Sequence, residues 1–191
     1  MKLSKIKRAI KGGKLWTLVT MDDGAQWIGD ANAMYAVPRS IDMTTDNATS
    51  ILDIDADKRA EYSVREIDEP EPWWDMLPRQ ADDVEMTIKA TVQKDGRNIS
   101  ILTTAEGECL MVDDDYLRPC EDAEFGLAFA LRRRYNKDTG EETEPIVVVF
   151  DDMMACALIM SLPCHYIEQV WDAMRAACAP RLINRGGGRH A

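Results

Sequence analysis

Histidine is nearly missing from this chain, with only His165 and His190 among 191 residues. Neither lies in a recognisable motif with a serine or cysteine, so a nucleophile served by an imidazole base has no sequence support. The five cysteines, Cys109, Cys120, Cys156, Cys164 and Cys178, are odd in number and contain no Cys-x-x-Cys pair. With no secretory leader legible at the start, reduced thiols in a cytoplasm are the expectation. Cys156, Cys164 and His165 fall close together, but seven residues separate the thiols and no second half-site follows. That spacing reads as burial and not as zinc. No apolar run approaches the roughly 20 residues needed to span a bilayer, so no membrane partner is expected.

Acidic charge is what the chain has in excess. Its 34 Asp and Glu against 23 Lys and Arg give a net −11. Lys2, Lys5, Lys7, Arg8, Lys11 and Lys14 gather in residues 1–14, and Arg181, Arg185 and Arg189 in residues 181–191, with no acid in either segment. Removing those nine from the 23 basic residues leaves 14 against 34 acidic, a body of net −20. Such a body repels phosphate unless cations collect on one face, and the two ends are where they collect.

Leu3, Ile6 and Ile10 fall on one helical face of "KLSKIKRAIKGG", which predicts a short basic amphipathic helix. Apolar runs on either side of Asp22-Asp23-Gly24 predict a hairpin closing at Val37-Pro38. A short helix is expected within 46–66, then an irregular proline-rich connection carrying Trp73 and Trp74 as a lid on the sheet. From Val84 alternation returns, with turns at Lys94-Asp95-Gly96-Arg97 and at Glu106-Gly107-Glu108, and predicts a three-strand meander. A strand near 124–135 and a hairpin turning at Asp151-Asp152 follow, then a helix carrying Ile167, Val170, Trp171, Met174 and Cys178. The fold class is therefore α+β, dominated by antiparallel sheet with helices at each end and one between the sheet halves. Residues 1–163 form the domain, 164–180 a C-terminal helix and 181–191 a flexible basic tail. Strand, Asp-Asp turn and strand occur near 15–37 and again near 146–163, an echo compatible with two similar halves.

The carboxylate clusters do not read as metal sites. Asp53, Asp55 and Asp57 have the 1-3-5 spacing of a calcium loop, but Lys58 stands where glycine is needed and Val64 where the bidentate Glu is needed. Adjacent aspartates such as Asp151-Asp152 point apart along a strand, so a solvated turn accounts for them better. "NRGGGRH" follows the last predicted helix instead of preceding one, so no phosphate cradle is expected. No catalytic residue, cofactor or metal is assigned, and the chain reads as a non-enzyme.

One stretch resembles a family. "PIVVVFDDMMACALIMSLP", Pro145 to Pro163, is similar to the end of DNA sliding clamps, the processivity factors of bacterial polymerases. Those end on a strand, an acidic turn and a strand closing in Ile-Met-Pro, although here Ser161 stands at the proline position. "VDDDYLRPC" looks like that family's run into an inward helix, and "VTMDDGAQWIGDANAMYAVP" like its earlier hairpin. The resemblance implies a clamp-like α+β domain of two similar halves with helices on one side of curved sheets, and by position Met160, Leu162 and Pro163 match its partner-peptide groove. By charge, Lys5, Lys7, Arg8, Lys11 and Lys14 are the candidate contacts to double-stranded DNA. Clamps carry three domains and this chain has room for one, so encircling DNA would require a homo-oligomer. The expected function is a non-catalytic domain associating with DNA or replication proteins in a phage or mobile-element setting. The alternative is an acidic protein-interaction module whose partner is a basic protein.

Overall fold

The computed structural model describes residues 2–67, 79–122, 126–136, 138–163 and 168–172. The lid expected around Trp73 and Trp74, the 181–191 tail, and residues 164–167 and 173–180 of the expected C-terminal helix lie outside them.

The fold is α+β, built on one ten-stranded sheet. Helix α1 (Leu3–Ile10) leads into β1 (Leu15–Thr20), β2 (Gln26–Gly29) and β3 (Ala33–Ala36), and α2 (Ala48–Ile51) and β4 (Ser63–Ile67) follow. Next come β5 (Val84–Lys94), β6 (Arg97–Thr104) and β7 (Cys109–Asp113), α3 (Asp114–Leu117) with a 3-10 turn at Arg118–Cys120, and then β8 (Leu127–Tyr135), β9 (Glu142–Asp151) and β10 (Met154–Met160). The strand order is β4-β1-β2-β3-β10-β9-β8-β5-β6-β7. All pairs are antiparallel except β1 with β4.

The turns obey the chemistry read from the sequence. Asp95 and Gly96 both take positive φ, 52° and 77°, between the paired residues Lys94 and Arg97. That is the two-residue turn whose twist suits a hairpin. Asp152, at φ 58°, turns the β9–β10 hairpin. The Asp-Asp echo, however, joins turns at different positions. The first lies between β1 and β2, the first turn after α1, and the second between β9 and β10, the second turn after α3. The order of elements repeats in another register: α1 then β1, β2, β3, and α3 then β8, β9, β10. The two meanders meet through their last strands, with Ala157 opposite Tyr35, Leu158 opposite Met34 and Ile159 opposite Ala33.

Alternation along these strands sorts side chains to two faces. Trp16, Leu18, Ile28, Tyr35, Leu131, Val147, Val149 and Ile159 pack under Ile6 and Ile10 of α1, Leu52 after α2, and Leu117 and Cys120. Val19, Trp27, Met34, Ala130, Ile146, Val148, Phe150 and Leu158 form a second cluster on the other face. A third gathers Ile99, Ile101 and Met111 with Val170. Ile99 and Ile101 alternate with Leu102, which faces the main core. The helical segment at 168–172 therefore sits on the face opposite α1, α2 and α3, so the helices are not all on one side. The chain leaving β10 also reaches back to β7, where the Leu162 amide donates to the Met111 carbonyl at 2.8 Å. β9, β8, β5 and β6 separate those strands in the order, so the sheet is strongly curled.

Candidate nucleic-acid and partner sites

The basic helix forms because three apolar side chains share one face. Ile6 and Ile10 are fully buried and Leu3 packs beside them, each isoleucine contributing roughly 1.5–3 kcal/mol of burial. The end of α1 is anchored by the buried Trp16 indole, which donates to the Ile10 carbonyl at 3.1 Å and so satisfies one orphan acceptor of the last turn. Gly13 then passes close to Asp30, where a Cβ would sit 3.1 Å from the aspartate's own.

The cations of this segment divide into two sets. Those flanking the buried face reach acids of the body. Lys5 pairs with Asp122 at 3.1 Å and Glu121 at 3.2 Å, and Lys2 with Asp122 at 3.5 Å. Lys7 reaches the carboxylate of Asp53 at 3.4 Å and also donates to its main-chain carbonyl. Lys14 pairs with Glu61 at 2.8 Å and lies 4.4 Å from the centre of the Tyr62 ring. The contact with Asp122 raises the Lys5 pKa above its ordinary value, and the contact with Lys5 lowers that of Asp122; Lys14 and Glu61 shift in the same opposed directions for the same reason. Arg8 and Lys11 form the second set. Both are exposed, and among the described residues neither has an acid within ion-pair distance. Of Lys5, Lys7, Arg8, Lys11 and Lys14, two are thus presented to solvent uncompensated while three are held by the body.

Met160, Leu162 and Pro163 have different neighbours. Met160 belongs with the cluster around Leu158 and Phe150, its sulfur 3.5 Å from an Arg134 nitrogen. Leu162 packs with Ile99, Ile101 and Met111, and Pro163 is exposed. Met160 and Leu162, two residues apart, both face away from α1, as alternation along an extended chain requires.

Two polar clusters were missed from sequence. Asp30 closes the β2–β3 turn: its Oδ1 accepts from the amides of Asn32 at 2.8 Å and Ala33 at 3.0 Å, and the Tyr116 hydroxyl lies 3.5 Å from its Oδ2. Asn32 donates to the same hydroxyl at 3.1 Å, and the Tyr35 hydroxyl to the Tyr116 carbonyl at 2.8 Å. Burial raises the Asp30 pKa and pushes Tyr116 up to about 12. The carboxylate is spent on backbone amides and Tyr116 stays a protonated phenol at neutral pH, so the cluster is a staple joining α3 to the turn before β3. "GDANA" carries the short turn signal that could have disclosed it. The second cluster is Arg132 with Asp83, both side chains at 0% exposure, the Arg132 Nε donating to Oδ1 at 2.6 Å. Nothing in "LRRRY" distinguishes the buried arginine from its neighbours. Among the described residues, no group of three His, Cys, Asp or Glu side chains is placed to hold a metal ion, and no helix is long and apolar enough to cross a membrane.

Comparison with protein-family models, with curated proteins and with solved structures gives no match in any of the three.

Proposed function

We propose that this chain is a non-catalytic, clamp-like binding domain that associates with DNA or with replication proteins. The observation carrying this reading is the repeated order of helix and three strands. Its two copies join across β3 and β10, and α1 packs against α3 and the Arg118–Cys120 turn on one face. A domain of two similar halves with helices on one side is what the resemblance of Pro145 to Pro163 implied; α1 and α3 fit that, and the 168–172 segment departs from it. Arg8 and Lys11 are the DNA contacts favoured by exposure and by their lack of acidic partners.

Removing residues 1–14 would test this poorly, because it also takes Ile6 and Ile10 out of the core. The informative comparison is the intact chain against Arg8→Ala/Lys11→Ala, titrated with duplex DNA over a range of salt, alongside the solution mass. Loss of two phosphate contacts should reduce the slope of log affinity on log salt by about 2. Absence of salt-dependent binding by the intact chain removes the DNA part of the proposal.

A second reading has its own support. Lys2, Lys5, Lys7 and Lys14 are neutralised by Asp122, Glu121, Asp53 and Glu61, and α3 beside α1 carries Asp114 and Asp115, which share the single cation Arg118. That favours an acidic interaction module whose partner is a basic protein. Such a module should retain a basic protein on a column in competition with DNA, unaffected by Arg8→Ala/Lys11→Ala.

A further inference from the structure

The segment that leads from α2 into β4 runs along one flank of α1. Leu52 and Ile54 anchor its start in the main core. Lys7 then reaches both the carboxylate and the main-chain carbonyl of Asp53. Further on, the Tyr62 hydroxyl donates to the Lys11 carbonyl at 3.4 Å, Glu61 pairs with Lys14 at 2.8 Å, and the Ser63 amide donates to the Lys14 carbonyl at 2.8 Å. Positions 7, 11 and 14 are four and three apart, the spacing of neighbours along one side of a helix. The segment therefore lines the side of α1 on which Lys11 stands.

Most charge on this segment is already balanced. Asp53 and Glu61 hold Lys7 and Lys14, and Asp55 pairs with Lys58 at 3.0 Å. Between Asp53 and Glu61 that leaves Arg59 and Asp57, both exposed. Among the described residues neither has an opposite charge within ion-pair distance. The Arg59 Nε donates to the Ile54 carbonyl at 3.0 Å, which orders the side chain and leaves its terminal amino groups available.

We propose that Arg59 is a third phosphate contact of the surface formed by Arg8 and Lys11, an inference that rests on the reading of α1 as a DNA-contacting helix. Two elements, and not α1 alone, then meet the DNA backbone. A guanidinium already ordered by its own main chain loses little freedom when it pairs with a phosphate. Asp57, two residues away, repels the same phosphates. The two residues thus act on binding with opposite signs, and because the contacts are to phosphate they act alike on any sequence.

The test titrates two duplexes of unrelated sequence with the intact chain, Arg59→Ala, Arg59→Lys and Asp57→Asn over a range of salt, with a thermal melt of each variant. Arg59→Ala should lower the slope of log affinity on log salt by about 1 on both duplexes. Arg59→Lys, which keeps the charge, should retain the slope. Asp57→Asn should bind more tightly at low salt, the difference closing as salt rises. An unchanged slope in Arg59→Ala overturns the proposal and leaves Arg8 and Lys11 as the DNA contacts. An equal loss in Arg59→Lys also overturns it, because the bond to Ile54 and not the charge would then be what matters. If Arg59→Ala does not fold, Asp57→Asn decides, and unchanged affinity there is the overturning result. Absence of salt-dependent binding by the intact chain removes the DNA reading itself, and this contact with it.

Discussion

Gly29 is irreplaceable at its site for a reason unrelated to turn geometry. It faces Met34 across β2 and β3, and a methyl group there would fall onto the Ala33 carbonyl oxygen and within 2.7 Å of the Met34 Cα. Both obstacles are backbone, so the strands themselves would have to separate. Gly29→Ala is expected to destabilise the fold by about 3 kcal/mol or more, read as a lower urea midpoint with an unchanged m-value. Asp30 offers the opposite test. Its folded pKa lies above the ordinary 3.8 because burial penalises the charge. The folded state therefore binds the proton more tightly than the unfolded chain, and the favourable contribution is present at low pH and lost as pH rises through the folded value. Asp30→Asn keeps the oxygen that accepts from Asn32 and Ala33. It should stabilise at neutral pH, with the gain vanishing toward pH 3.8, as followed by thermal melts across that range. Asp30→Leu removes the acceptor and should cost about 2 kcal/mol at any pH.

At the level of elements, α1 is held by two kinds of force that respond differently to solvent. The burial of Ile6 and Ile10 is insensitive to pH and salt, whereas the pair of Lys14 with Glu61 is exposed and that of Lys5 with Asp122 half-buried, so both are screened to a degree. Asp122 and Glu61 have folded pKa values below their ordinary 3.8 and 4.5, so their contribution is present above those values and lost as pH falls through the lowered ones. Amide exchange in α1 should accelerate under acid, or in high salt at neutral pH, before exchange in β9 does. Equal acceleration in both would show that the ion pairs do not hold the helix separately. The sequence revealed α1 because a single apolar face and a basic remainder are unambiguous over two turns. It revealed the hairpins because Asp95-Gly96 and Asp152 name their own turns. Strand β4 escaped because "SVREI" is short, half polar, and paired in parallel with a strand far behind it. β3 was merged with β2 because only Asp30 to Asn32 part them. The division of the basic residues into held and free depended on where Asp53, Glu61 and Asp122 arrive in space, and that is tertiary information.

The whole molecule is one curled sheet with its sequence ends interleaved. β10 is the last of the described strands, yet it occupies the middle of the order, between β3 and β9. A chain ending at Asp151 would leave β3 and β9 as open edges and strip Ala157, Leu158 and Ile159 from the two large clusters. Such a chain should show no cooperative thermal transition and should aggregate, measured by scanning calorimetry and light scattering.

The position of β10 also bears on how the protein is made. The first meander emerges from the ribosome more than a hundred residues before its partner strand does. Throughout that interval the edge of β3 that pairs with β10 stays open. Contacts of such long sequence separation form slowly, and an edge held open during synthesis invites pairing with neighbouring nascent chains. The window of greatest vulnerability is therefore set by the rate of translation between β3 and β10, and slowing synthesis across that span should lower the yield of native protein.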